Sequence, residues 1–131
     1  MFETEKSLAS SWFKTLRDEI VNAFKEIEIN HLSGPFSDKA PGIFEVKETE
    51  RTADDGSDAG GGIMSVMRNG RVFEKVGVNV STVYGKLGPD AQRAMVARKD
   101  IPGIKEDPRF WASGISLVAH MQNPQCPAVH M

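Results

Sequence analysis

The sequence contains a single cysteine, Cys126, among its 131 residues. One cysteine cannot form a disulfide within the chain, and it excludes a zinc site built from several cysteines. No apolar run is long enough to span a bilayer, and the first residues lack the basic start and apolar core of a signal peptide, so we expect a cytoplasmic protein. Lysine plus arginine number 16 and aspartate plus glutamate 18, a net charge of −2. Bulk charge therefore indicates neither nucleic acid nor an anionic membrane as a partner.

The N-terminal part of the chain has a clear helical period. Residues 6–29 predict an amphipathic helix whose apolar side chains recur every three or four positions. The predicted apolar stripe consists of Leu8, Trp12, Leu16, Ile20, Phe24 and Ile27. Such a stripe is typical of a helix that packs on a core. A shorter helix is predicted over residues 89–99, which begin with proline and end with basic side chains.

Two segments have the composition of loops. His31 lies in a connection rich in proline and glycine, where a histidine is more often a helix cap or a solvated residue than a ligand. Residues 52–62, TADDGSDAGGG, predict a flexible acidic loop. This loop lacks the spacing and closing glutamate of a calcium-binding EF-hand, and no Gly-Lys-Ser/Thr follows to make a phosphate-binding loop.

The middle of the chain predicts β-sheet. Strands are expected over residues 43–47, 63–67 and 72–84, and Asn69-Gly70 between the last two indicates a hairpin. In the longest strand, alternation places Val76, Val78, Val80 and Tyr84 on one face and Lys75, Asn79 and Ser81 on the other. The apolar face predicts core, whereas the polar face is either solvent surface or the wall of a cavity.

The C-terminal stretch holds the candidate site. Residues 115–120 predict a strand in which Ser116, Val118 and His120 share the face opposite the core. Residues 128–131 predict the start of a second strand, which brings His130 toward His120 if the two strands pair. Four strand residues separate Ser116 from His120, about 13 Å at the rise of a strand, so together they would line a large flat ligand rather than act on one atom.

Two segments of this chain resemble a known family. GGGIMSVMRNGRVFEKVGVNVSTVYG (residues 60–85) and FWASGISLVAHMQNPQCPAVHM (residues 110–131) resemble, in order, the N-terminal part of oxygen-dependent coproporphyrinogen III oxidase. The resemblance implies an α+β fold, an antiparallel β-sheet flanked by helices, with residues 1–131 as the N-terminal part of one longer domain in a homodimer. It also implies oxidative decarboxylation of two propionates of coproporphyrinogen III to vinyl groups, giving protoporphyrinogen IX, with O2 as oxidant and no organic cofactor.

The resemblance assigns roles to individual residues. His130 matches the family's catalytic histidine, a proton donor or acceptor, and Ser116 matches the serine that contacts substrate. His120 and His130 match histidines assigned as divalent-metal ligands in bacterial members. Paired imidazoles suit a transition metal but form an incomplete shell, and a titrating imidazole suits a reaction that must move protons. The chain departs from the family at Thr49, where tryptophan is common, and at Ala59, which precedes three glycines instead of completing a run of four.

Other interpretations stay open. The sequence stops at Met131, where the family continues, so we expect the 131-residue piece alone to be prone to aggregation or inactive. A non-catalytic module could hold a tetrapyrrole between Ser116 and His120 without oxidising it. Alternatively, the chain is a structural fragment in which His120 and His130 are satisfied core residues.

Overall fold

The computed structural model describes the whole chain, residues 1–131. It contains two helices and five strands: α1 (Glu3–Asn30), β1 (Phe44–Thr52), β2 (Asp58–Arg68), β3 (Phe73–Lys86), α2 (Pro89–Arg98), β4 (Arg109–Met121) and β5 (Val129–His130). The predicted α+β class is confirmed. Neither helix is both long and apolar enough to cross a bilayer.

The five strands form one antiparallel sheet in the order β1-β2-β3-β4-β5. The Asn-Gly hairpin joins β2 to β3 as predicted: the Asn69 N–H donates to the Glu74 carbonyl and the Gly70 N–H to the Phe73 carbonyl, both at 2.8 Å. Asn69 has a φ of 55°, a left-handed conformation that asparagine tolerates better than most residues. Local turn chemistry therefore sets the register of the central strands.

The glycine triplet at residues 60–62 lies within a strand, so the predicted flexible loop over residues 52–62 is wrong at both ends. β1 and β2 continue into this stretch and leave only residues 53–57 as the turn between them. The physical reason is close approach of backbones. A Cβ on Gly62 would lie 2.1 Å from the carbonyl oxygen of Val80 on the neighbouring strand. Glycine here permits strand pairing rather than mobility.

Helix α1 packs across β3 and β4 on one face of the sheet and encloses the core. The rings of Phe24 and Phe73 meet edge to face with their centroids 4.9 Å apart. The core cluster consists of Val21, Phe44, Met67, Phe73, Val76, Val78, Leu117 and Ala119. On β3 the predicted alternation is confirmed, because Val76 and Val78 are fully buried while Lys75 is exposed.

The face of α1 that meets the sheet differs from the predicted stripe. Leu8, Trp12 and Ile27 are 67%, 54% and 46% exposed. The stripe spans a wide arc of the helix, and the sheet covers only part of it. Polar contacts fix which part: Arg17 donates from Nε and Nη2 to the buried Ser65 Oγ at 3.1 and 2.7 Å. Arg17 thus gives the Ser65 hydroxyl its hydrogen-bond partners inside the interface. The periodicity of apolar residues does not reveal such a polar contact.

Glu28 is a buried carboxylate at the C-terminal end of α1. It is 0% exposed. Its two oxygens accept hydrogen bonds at 2.6–2.9 Å from the backbone N–H groups of Gly42, Arg71, Val72 and Phe73. Burial alone raises the pKa of Glu28, but the backbone donors outweigh burial and the net pKa is lowered from 4.5. The carboxylate thus ties the helix to the turn between β2 and β3.

Replacing this carboxylate with an amide should destabilise the fold. In Glu28→Gln, the amide NH2 group would face backbone donors and leave them unsatisfied, so we expect a loss of roughly 2–4 kcal/mol in the free energy of unfolding at pH 7. Urea unfolding followed by circular dichroism measures this loss. Glu26→Gln, on an exposed part of the same helix, is the control and should change little.

The same residue predicts a dependence on pH. Because the folded-state pKa of Glu28 lies below its ordinary value of 4.5, its stabilisation is present above that value and is lost as pH falls through the folded-state pKa. The difference in stability between the native chain and Glu28→Gln should therefore shrink as pH falls below about 4.5. A difference that is unchanged at acid pH would contradict the assigned ionised state.

Candidate active site on the open face of the sheet

The face of the sheet turned away from α1, here called the open face, carries the residues predicted to contact a ligand. On β4, Leu117 and Ala119 are 9% and 1% exposed and belong to the core. Ser116, Val118 and His120 alternate with them and are exposed on the other side. The predicted position of all three side chains is therefore confirmed. Across the strands the open face includes Val66, Gly77, Asn79, Ser116, Val118, His120 and His130.

Pairing of β5 with β4 brings the two histidines together, as predicted. Leu117 and Met131 exchange backbone hydrogen bonds of 3.0 and 2.9 Å. Val118 and His130 then form the adjacent, non-hydrogen-bonded pair, in which side chains lie closest. His120 is the diagonal neighbour of His130, and their Nε2 atoms are 3.4 Å apart with ring centroids at 5.5 Å. Both imidazoles are exposed, so neither is a satisfied core residue.

The centre of the open face is an apolar floor. Val66, Gly77 and Val118 occupy one row across β2, β3 and β4, and His130 ends the row on β5. A Cβ on Gly77 would meet nothing within 4 Å, so the space above this position is empty. A planar or domed ligand could lie on this row with its edge against the two imidazoles.

Ser116 lies farther along β4, beyond the floor. It pairs with Asn79 on β3, whose Oδ1 is buried and has no hydrogen-bond partner in the chain. A buried carbonyl oxygen without a donor is uncommon in folded proteins. Ser116 and the histidine pair therefore border opposite sides of the floor on the same face.

A concave region of about 1090 Å³ lies away from the histidines. It sits between the N-terminal end of α1 and the ends of β3 and β4 that carry Tyr84 and Trp111. Many of its polar groups already bond each other: Tyr84 donates to Asp58, and Arg109 donates to Asp107. The Arg109 hydrogen bonds lower the pKa of Asp107 to about 2. Polar side chains that already hydrogen-bond each other are poor candidates for binding or reacting with a substrate. The open face is therefore the better candidate for the active site.

Comparison with known proteins identifies the family. The family model described as coproporphyrinogen III oxidase matches residues 9–131. The chain belongs to the coproporphyrinogen III oxidase family. It is 42% identical over 125 residues, 95% of its length, to the oxygen-dependent coproporphyrinogen-III oxidase of Rickettsia peacockii (strain Rustic). It is 43% identical over 130 residues, 99% of its length, to the protein of the same name from Rickettsia bellii (strain RML369-C).

The chain spans only part of these coproporphyrinogen oxidases. The matches cover 40% of the Rickettsia peacockii protein and 42% of the Rickettsia bellii protein. Both segments on which the resemblance was based lie within the matched residues 9–131. Membership in the family is therefore established for this chain, while the activity of the whole enzyme is a proposal.

The sequence clusters Arg68, Arg71 and Lys75 near the hairpin, where they could pair with carboxylates or form a solvated turn, but it does not place any of them beside the histidines. Lys75 pairs directly with His120 across β3 and β4, and Arg68 pairs with Lys75 across β2 and β3. The alternation of β3 indicated that Lys75 lies on the polar face. A register shift between Phe73 and Lys75 decides which β4 residue it meets, and this irregularity has no signature in the sequence.

The histidine pair fits two positions of a metal shell. Two nitrogens each about 2.0–2.1 Å from a tetrahedral ion would lie roughly 3.3–3.4 Å apart, close to the spacing of the Nε2 atoms. No group of three or more histidine, cysteine, aspartate or glutamate side chains in the chain could hold a metal ion. His120 and His130 could therefore supply part of a coordination shell in this family, and the other ligands would have to come from outside this chain.

Proposed function

We propose that this chain forms the floor and the histidine pair of an oxygen-dependent coproporphyrinogen III oxidase. In the proposed reaction, each of two propionates loses CO2 and is oxidised to a vinyl group, and O2 accepts the two electrons with two protons to become hydrogen peroxide. The product is protoporphyrinogen IX. The observation that carries the proposal is the meeting of His120 and His130 on the open face of a chain of this family.

Each site residue has a distinct proposed role. His130 donates or accepts a proton at the reacting propionate, because an imidazole has one ring nitrogen that can donate a proton and one that can accept it. His120, with its Nε2 3.4 Å from that of His130, orients the partner ring and selects its tautomer. The Ser116 hydroxyl contacts the opposite side of the substrate. The apolar floor supports the macrocycle between these groups.

The proposal includes no flavin, haem or nicotinamide. A divalent metal held in part by His120 and His130 would supply Lewis-acid chemistry, and the spacing of the two nitrogens is compatible with one. We further propose that the complete enzyme is a cytoplasmic homodimer.

The two other interpretations are tested against this one. The exposure of both imidazoles argues against a structural fragment in which they are core residues. A non-catalytic tetrapyrrole-binding module would use the same floor, so its geometry would not distinguish it from the enzyme. The two differ in whether the bound tetrapyrrole is oxidised. Binding of coproporphyrinogen without formation of vinyl products, in the complete protein, would favour the module.

The proposed acid-base role of His130 predicts a large loss of turnover. In the complete protein, His130→Ala should reduce the rate of vinyl-group formation from coproporphyrinogen III by roughly 10²–10⁴-fold. Chromatography of products after aerobic incubation measures the rate. His31→Ala is the matched control, because His31 hydrogen-bonds the Pro35 carbonyl in a loop. Unchanged turnover in His130→Ala would refute the assignment.

The proposed floor predicts that added bulk at its centre excludes the ligand. Gly77→Val should fold, because a Cβ there meets nothing within 4 Å and valine suits a strand. We expect it to weaken binding of coproporphyrin III, the oxidised analogue of the substrate, by about tenfold or more. Fluorescence titration measures the affinity. Gly88→Val, before α2, is the control, since a Cβ there is equally free. Equal affinity in the two variants would place the ligand elsewhere.

A further inference from the structure

Two cationic side chains on the open face continue the row that contains His120. Arg68, Lys75 and His120 occupy neighbouring strands in register. Adjacent strands lie about 4.7–4.9 Å apart, so the three residues are direct neighbours on one face. Arg68 follows Met67, which is 0% exposed in the core, and alternation therefore directs Arg68 to the open face.

A β-bulge aims Lys75 at this position. Phe73 pairs with Met121, and the next pair is Lys75 with His120, which leaves Glu74 as the extra residue. Phe73 is 5% exposed in the core. Without the extra residue, Phe73 and Lys75 would point to the same face; with it, Phe73 is buried and Lys75 is turned to the side of the histidines.

Neither cation has a partner within the chain. The five ion pairs of the structure involve neither Arg68 nor Lys75, and neither makes a side-chain hydrogen bond. Two acidic residues are neighbours in sequence or register: Glu74 precedes Lys75, and Glu45 is diagonal to Arg68 across β1 and β2. Neither forms an ion pair.

Arg71, from the same hairpin, behaves differently. Its guanidinium donates from Nε to the Lys39 carbonyl and from Nη1 to the Glu28 carbonyl at 3.4 Å. Arg71 therefore stabilises the fold through contacts on the α1 side of the sheet. Of the cations at this end of the hairpin, the two that remain free are the two beside the histidine pair.

We propose that Arg68 and Lys75 form a carboxylate-binding site that holds a propionate of the substrate beside His120 and His130. This inference rests on the proposed function. Coproporphyrinogen carries several propionates around its rim, and an ammonium and a guanidinium in one row suit a carboxylate. A propionate held there fixes the rotation of the macrocycle on the floor, and with it which substituent lies against the imidazoles. Arg68 and Lys75 are positioning residues in this scheme.

The test compares charged and uncharged ligands in the complete protein. Lys75→Gln and Arg68→Gln should each weaken binding of coproporphyrin III roughly tenfold, as expected for the loss of one charged hydrogen bond. Binding of the methyl ester of coproporphyrin III, which lacks carboxylates, should not change. Lys75→Arg keeps the charge and should retain affinity. Lys25→Gln, an exposed lysine on α1 and therefore on the other side of the sheet, is the matched control and should bind as the native protein does.

Turnover supplies a second measurement that a purely structural role would not produce. Lys75→Gln should raise the KM for coproporphyrinogen III about tenfold while kcat stays within a few-fold. Native affinity for coproporphyrin III in both glutamine variants, or an equal loss for the ester, would overturn the inference. The proposed function would survive that result if His130→Ala still abolished turnover, whereas a native protein that binds no coproporphyrin III would overturn both.

Discussion

The buried carboxylate of Glu28 is the contact on which the arrangement of this fold depends. It accepts hydrogen bonds from Gly42 and from three consecutive N–H groups at the start of β3, segments that are distant in sequence from α1. Without it those donors would be buried beside an apolar helix and unsatisfied, a cost of about 1–3 kcal/mol each. A two-stranded hairpin is marginally stable alone, so attaching its turn to α1 fixes both the hairpin and the sheet it begins.

This attachment has consequences on the other side of the sheet. With the turn fixed and Phe73 in the core, the bulge at Glu74 determines that Lys75 faces away from α1 and opposite His120. The same alternation that gives one face Val76 and Val78 gives the other face Gly77. Core and candidate site are therefore two sides of one set of strands, and a change in register would disturb both.

Much of this architecture could be predicted because its signals are local. The Asn69-Gly70 turn, the alternation along β3 and the convergence of His120 with His130 all follow from the period of a strand and the chemistry of a turn. The position of the histidines depends on β5, a strand of only two residues, yet its pairing follows the prediction.

The features that escaped prediction depend on contacts between distant segments. Glu28 resembles a surface residue until Arg71, Val72 and Phe73, 43–45 positions away, are placed against it. The apolar residues of α1 cover a broad arc of the helix, so the sequence did not show which of them would be exposed. The pairing of Lys75 with His120 required knowledge of a bulge. In each case the local sequence is compatible with more than one arrangement, and tertiary contacts determine which arrangement forms.

The account is tested most directly by locating the porphyrin on the sheet. Nuclear magnetic resonance spectra of the protein with coproporphyrin III report ring-current shifts at protons close to the macrocycle. The account predicts the largest shifts at Val66, Gly77 and Val118 and at the two imidazoles, with none at Val21 on the α1 side. Shifts confined to the region of Tyr84 and Trp111, with an unperturbed open face, would contradict it.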